Sequence, residues 1–169
     1  MTVSADAPAG RLALDFEALY RAARDDVFAY VATLLHDRGA AEDVTAAAFE
    51  RAFRRRTSFD SRRGSPRAWV FGIARNAALD ELRRRSRTAA LVGDPPAPAD
   101  ETEDALRRAA VRTALAALPP RDRELVALKF HAGLDNAELA AVLGVSVSNA
   151  GTRLHRALHK LREILDDQS

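Results

Sequence analysis

Apolar residues recur every three or four positions along most of the chain, and no stretch of β-branched residues alternates with period two. From Leu12, the series Phe16, Leu19, Ala23, Val27, Tyr30 and Leu34 forms one stripe of a long helix. The residues Asp37, Arg38 and Gly39 are read as its end. A second helix is predicted from about Ala40 to Arg56, with Val44, Ala48 and Ala52 in line and Phe49 and Phe53 beside them. After the loop SFDSRRGSP, Pro66 stands where a first helical turn tolerates it, because its missing N–H would be unpaired there. This third helix runs to about Arg87. Four shorter helices follow, over about 103–117, 121–131, 135–143 and 147–165. Asp135 and Glu138 have the spacing of a capping box. Leu154, Leu158, Leu161 and Leu165 line one face of the last helix, as core residues would. The fold class is therefore all-α.

The pattern breaks twice. Residues 1–10 read as a disordered tail. Residues 88–104 hold three prolines and five acidic side chains and no basic one. Each proline removes a backbone donor and disfavours helix before it, so the stretch reads as a flexible linker. It divides the chain into one small helical domain at 11–87 and another at 105–169.

Composition narrows the class. The 169 residues are 47% hydrophobic, which excludes a wholly disordered chain. Absence of cysteine excludes disulfides, thiolate metal sites and a cysteine nucleophile. No apolar run approaches the roughly 18 residues of a membrane span, and the first ten residues lack a signal-peptide pattern. A cytoplasmic protein without membrane insertion is expected. His155, His159 and Glu163 share a helical face, but no H-E-x-x-H motif or further ligand accompanies them, so no metal and no cofactor are expected. No phosphate-binding glycine loop or serine–histidine–acid signature points to an enzyme.

Charge adds a direction. Of 26 basic residues only Lys129 and Lys160 are lysines. Between Arg51 and Arg87 stand twelve arginines against three acidic residues, although the whole chain carries only +2. Such a concentration attracts polyanions, and nucleic acid is the partner it suggests.

The sharpest motif is DNAELAAVLGVSVSNAGTRLHRALHKLRE. It reads as two helices joined at Gly144, where glycine supplies a positive φ without strain. Ala140 is small enough to let the helices cross. Polar residues open the second helix, as in a recognition helix that enters the major groove with its first turns. Gly151 costs this helix about 1 kcal/mol against alanine, and either admits a close backbone approach to DNA or is tolerated.

Together, AEDVTAAAFERAFRR, FDSRRGSPRAWVFGIARNAALDELRRRSR, LPPRDRELVALKF and the helix-turn-helix resemble the extracytoplasmic-function (ECF) sigma factors of bacterial RNA polymerase. The first two segments are similar to region 2 and the others to region 4. The resemblance covers about 11–88 and 106–166. It implies a transcription initiation factor that binds core polymerase through the β′ coiled coil and the β flap and directs it to promoter DNA. Asp43, Phe49, Glu50 and Phe53 would then dock on the coiled coil, next to Ala46–Ala48, where the family more often has polar residues. The loop 59–66 would take up an unpaired base of the −10 element. Arg62, Arg63, Trp69, Arg75, Asn76, Asp80, Arg83 and Arg84 would serve that element and its separated strand. Ser146, Ser148, Asn149, Thr152, Arg153, His155 and Arg156 would read the −35 element. An anti-sigma factor is a further implied partner, and no catalysis is.

Two other readings stay open on the residues alone. One is a stand-alone helix-turn-helix regulator whose front half senses or dimerises. The other is an interaction protein that keeps the shape without promoter activity. Trp69 itself fits either a base-stacking role or a place in the core.

Overall fold

The computed structural model describes residues 13–88 and 102–168. The predicted tail, and the linker between its two ends, lie outside the described residues. Seven α-helices and one short 3-10 turn make up the described fold, with no strand among those residues. The helices are α1 (Phe16–Leu35), α2 (Arg38–Arg54), α3 (Pro66–Thr88), α4 (Glu103–Ala117), α5 (Pro120–Phe130), α6 (Asn136–Leu143) and α7 (Val147–Asp167); the 3-10 turn Arg56–Ser58 follows α2.

Local chemistry explains most boundaries. Asp15 starts α1 by accepting the Ala18 N–H at 3.1 Å. The junction of α1 and α2 departs from the sequence reading, which placed a break over Asp37–Gly39. His36 takes the left-handed conformation at φ 52° and ends α1, its N–H reaching the Ala32 carbonyl. Asp37 then caps α2 through the Ala40 N–H at 3.0 Å, and Gly39 lies inside the helix. A left-handed histidine is uncommon, which is why the spacing alone did not show it. The capping box of α6 is present: Asp135 accepts the Glu138 N–H at 2.8 Å, and Glu138 accepts the Asp135 N–H at 3.2 Å. Gly144 sits at φ 68° and turns the chain into α7, which Ser146 caps.

α1, α2 and α3 pack on one another, and α7 gathers α4, α5 and α6. The two groups also pack together, α1 against α4 and α5, and α3 against α6. One continuous apolar core runs from Val27, Tyr30, Ala48 and Phe71 through to Leu125, Leu128, Leu139 and Leu154. A smaller cluster of Leu118, Val126 and Ala157 holds α4 and α5 to α7. The apolar periodicity gave no sign that two halves separated by a linker share one core.

Gly151 lies mid-helix in α7, where a Cβ would meet only the Asn136 side-chain amide at an ordinary 3.5 Å. Glycine is thus required there by neither space nor backbone angle, and it costs unfolded-state entropy. Gly151→Ala should therefore raise unfolding stability by about 0.5–1 kcal/mol, read from urea midpoints at unchanged slope.

Candidate nucleic-acid interface

The register of α3 sorts its side chains into two opposed sets. At helical spacing, Arg67, Phe71, Arg75, Ala78, Leu82 and Arg85 share the inward stripe. Trp69, Gly72, Ile73, Asn76, Asp80 and Arg83 run along the other side. There, with the loop from Ser58 to Ser65, Trp69, Gly72, Ile73 and Asn76 line an open groove of about 560 Å³. Phe59 is buried and packs edge-to-face on Trp69, ring centroids 5.5 Å apart. Trp69 packs against the core and also lines the groove.

The expected −10 residues fall into three groups. Asn76, Arg63, Arg62, Asp80, Arg83 and Arg84 are exposed. Arg62 pairs with Asp60, Arg83 with Asp80 and Arg84 with Glu81, all surface contacts of the kind worth little to stability. The charge of Arg84, with that of Arg85, holds the Glu81 carboxyl below its ordinary range, the hydrogen bond from Arg84 contributing most. Arg63 makes no ion pair among the described residues and stands free at the groove. Arg75 differs. Its Nε donates to Glu124 of α5, in a pair whose side chains are only 24% and 10% exposed. It is held inside the contact between the two halves, and does not face the groove.

Two more arginines of the basic segment are committed to the fold. Arg67 donates to the Ala132 carbonyl, to His131 O at 3.1 Å and to Asp26 at 2.5 Å. Arg85 donates to Leu35 O at 2.9 Å and Asp37 at 2.8 Å, joining the end of α1 to the start of α2. Charge counting missed this partition. The signal that shows it is position, since Arg67, Arg75 and Arg85 all lie on the apolar stripe.

On α2, Asp43 and Glu50 are exposed, as expected of a docking face, and Phe53 is 48% exposed. Phe53 meets Phe16 edge-to-face, and the Arg56 guanidinium lies 3.9 Å from its ring centroid. Phe49 is instead buried at 5% exposure against Tyr20, which corrects its assignment to the docking surface: it supports that face from below. Ala46 and Ala47 are exposed and Ala48 is core. Between α1 and α2, Tyr20, Phe28, Glu42 and Ala46 line a second groove, with the buried Thr45 Oγ1 at its wall lacking a hydrogen-bond partner among the described residues.

In α7, Ser148, Asn149, Thr152, His155 and Arg156 are exposed, and Arg153 is half-exposed. Ser146 is exposed too, but its oxygen accepts the Asn149 N–H at 3.1 Å, so it starts the helix that the others ride on. Ala150, Leu154 and Ala157 hold the opposite face in the core. A rigid helix thus presents its polar first turns outward, the geometry of major-groove reading. No cluster of metal-binding side chains occurs among the described residues.

The sigma-70 region 2 model matches residues 19–88, and the sigma-70 region 4 model matches residues 108–161. The ECF RNA polymerase sigma factor SigL of Mycobacterium tuberculosis is 31% identical over 89% of this chain and 90% of its own length. This chain belongs to the ECF sigma factors. The sigma factor is also 32% identical to BldN of Streptomyces coelicolor, over 91% of this chain, but spans only 61% of BldN. Among solved structures, RpoE of Bartonella quintana in complex with the anti-sigma factor NepR matches in fold with a TM-score of 0.77, over 90% of this chain and 97% of RpoE at 24% identity. CnrH in complex with the cytosolic domain of CnrY matches with a TM-score of 0.69 at 28% identity, over 91% and 89%. Region 2 of the sigma factor is thus α1–α3, and region 4 is α4–α7.

Two histidines of the sigma factor sit where the halves meet. His36 Nε2 lies 2.9 Å from Arg123 Nη1, and burial together with that guanidinium lowers its pKa below the usual 6.5. His131 is lowered by burial, partly opposed by Asp26. Both bind protons more weakly folded than unfolded, so their contribution to stability is complete above about 6.5 and declines as pH falls toward their folded values. Thermal stability should therefore drop on acidification below 6.5. His36→Asn, which keeps a left-handed-tolerant residue, should reduce that slope in melts across this range.

Proposed function

We propose that this sigma factor binds core RNA polymerase through the outer face of α2, centred on Asp43, Glu50 and Phe53. In this reading the α3 groove captures an unpaired base of the −10 element, and Asn76, Arg83 and Arg84 hold the separated strand. Single strands suit such a surface, because unstacked bases expose edges and ring faces while arginines follow the backbone. The first turns of α7 read the −35 element as duplex through Ser148, Asn149, Thr152 and Arg153, with His155 and Arg156 placed further along for phosphate. The β flap would hold region 4, an anti-sigma factor would hold the free protein, and the work would take place in the cytoplasm without catalysis by the chain itself. No helix among the described residues is long and apolar enough to cross a membrane.

One observation carries this reading. A groove with an aromatic wall and a free arginine coexists in one chain with an exposed recognition helix, in the order of regions 2 and 4. A regulator that only bound duplex would have use for the second alone. Run-off transcription with core polymerase tests it directly: start sites should cluster behind one shared pair of promoter elements, and no transcript above that of core polymerase alone would refute it.

Two substitutions separate the roles. Asn76→Ala with Arg83→Ala should impair promoter opening more than duplex binding. Permanganate should then find fewer unpaired thymines, and a pre-melted template should restore activity. Exchanging residues 148–153 for those of another ECF factor should change the preferred −35 sequence and leave the −10 preference intact in promoter-library sequencing. An arginine paired with a guanine edge discriminates by about 1–3 kcal/mol, whereas a phosphate contact weakens all sequences alike.

A further inference from the structure

Region 2 carries one surface cluster of charge to which two helices contribute. Asp80 stands on the exposed side of α3, one turn after Asn76 and about 6 Å further along the axis. Its Oδ1 accepts from Arg83 Nη1 at 3.0 Å, and its Oδ2 lies 3.9 Å from Arg51 Nη1 of α2. Two guanidiniums from different helices thus converge on one carboxylate. The side chains of Arg51, Asp80 and Arg83 are 45%, 56% and 65% exposed, and ion pairs this open to water contribute little to stability. Nor does the packing of α2 on α3 need them, because Ala48 and Ala52 of one helix and Ala77 and Ala78 of the other belong to the apolar core. Arg83 engages Asp80 through a single N–H, and Arg51 lies beyond hydrogen-bond distance of it. Both therefore keep donors that have no partner among the described residues.

We propose that Arg51 and Arg83 together grip one phosphate of the separated −10 strand, and that Asp80 is a positioning residue that holds the two guanidiniums side by side for it. The proposal rests on the reading of α3 as the strand-binding face. It moves Asp80 from the strand contacts to the layer beneath them, and it extends the path of the strand from α3 onto α2. A carboxylate only accepts hydrogen bonds and repels a phosphate, so Asp80 has no direct contact to offer the backbone. Arginine side chains lose rotamer freedom on binding, and a carboxylate that already restrains them lowers that cost. Their planar forks then present paired N–H donors to the phosphate oxygens. The surroundings suit an anion: Arg84 and Arg87 are exposed close by, and Glu81 is taken up by Arg84 and Arg85. A base held beside Asn76 leaves its neighbouring phosphate about one helical turn away, within reach of an arginine. The sign of one substitution decides the role of Asp80. If it merely faced the strand, removing its charge would tighten binding; as a positioning residue, its removal weakens binding although the protein becomes more positive.

The test uses the full chain assembled with core RNA polymerase, the sigma factor being in saturating excess so that its affinity for core does not enter. The probe is a promoter fragment that the parent holoenzyme selects from a random library, pre-melted over the −10 element. Arg51→Gln should weaken binding roughly three- to tenfold, the scale of one net hydrogen bond. It should also flatten the slope of log affinity against log salt by about 0.7, the value for one phosphate on a single strand. Asp80→Asn should weaken binding about threefold, against the sign of its charge change. Arg107→Gln removes an exposed, paired arginine of α4 and should alter neither affinity nor slope. A neutral methylphosphonate is then placed at each linkage of the melted strand in turn. At one linkage it should weaken the parent, and there Arg51→Gln, Arg83→Gln and Asp80→Asn should each add nothing further. A merely structural cluster would lower affinity alike at every linkage, and that pattern overturns the proposal. Tighter binding by Asp80→Asn overturns its positioning role. Parent-like binding by Arg51→Gln, or Arg51 and Arg83 effects that map to different linkages, overturns the shared grip. A library from which the parent selects no sequence overturns the strand-binding reading itself, and the grip with it.

Discussion

A carboxylate placed between two halves of a protein must be paired, or it does not stay charged there. Glu124 meets that constraint with Arg75 and Tyr30, and much of the arrangement depends on it. Tyr30 is fully buried in α1 and packs edge-to-face on Phe71 of α3, centroids 5.7 Å apart. Burial, reinforced by the Glu124 charge, keeps its phenol protonated far above its ordinary range, so it remains a donor at any physiological pH. α1, α3 and α5 thereby meet at a single oxygen. A buried pair of this kind adds little net stability compared with apolar packing, but it penalises misplacement strongly. Its contribution is to define one relative position for regions 2 and 4, while the continuous apolar core around it supplies the burial.

The arginines of α3 show how one residue type serves two purposes at once. Arg67, Arg75 and Arg85 share the stripe of Phe71, Ala78 and Leu82, and each ends on a carbonyl or carboxylate of another element. Arg83, Arg84 and Arg87 point the other way and remain solvated. The planar guanidinium suits both roles, since its donors can cap a helix end or bind a phosphate with the same geometry. Net charge over the segment therefore overstates what is available to DNA.

The helices themselves were legible in the sequence, because apolar spacing, Pro66, the Asp135–Glu138 box and Gly144 each leave a local mark. α4 was read at its observed limits, and the others within a few residues. The polar face of α7 was legible for the same reason: polar first turns opposite Ala150 and Leu154 follow from periodicity alone. What stayed hidden was tertiary. Nothing local announces that His36 would turn left-handed, that Phe49 would sink beneath Tyr20, or that Arg75 would find an acid 49 positions away. Long-range pairs leave no spacing in a single sequence.

The two surfaces proposed to face DNA differ in how they are built. The face proposed for the −35 element is one side of a single helix whose other side is already packed, so it is complete whenever region 4 is folded. The groove proposed for the −10 element is a loop laid against α3, and Arg63 and Asp60 are the charged side chains in its described lining. Like charges gathered on one helix repel, and Arg67, Arg75 and Arg85 find acidic partners inside the molecule. Glu124 of region 4 pairs with Arg75 of α3 and Glu138 accepts the Ser65 hydroxyl, whereas Arg156 looks outward and Arg153 is half-exposed. Region 4 thus meets region 2 through polar side chains on one side, while the first turns of α7 stay exposed on another.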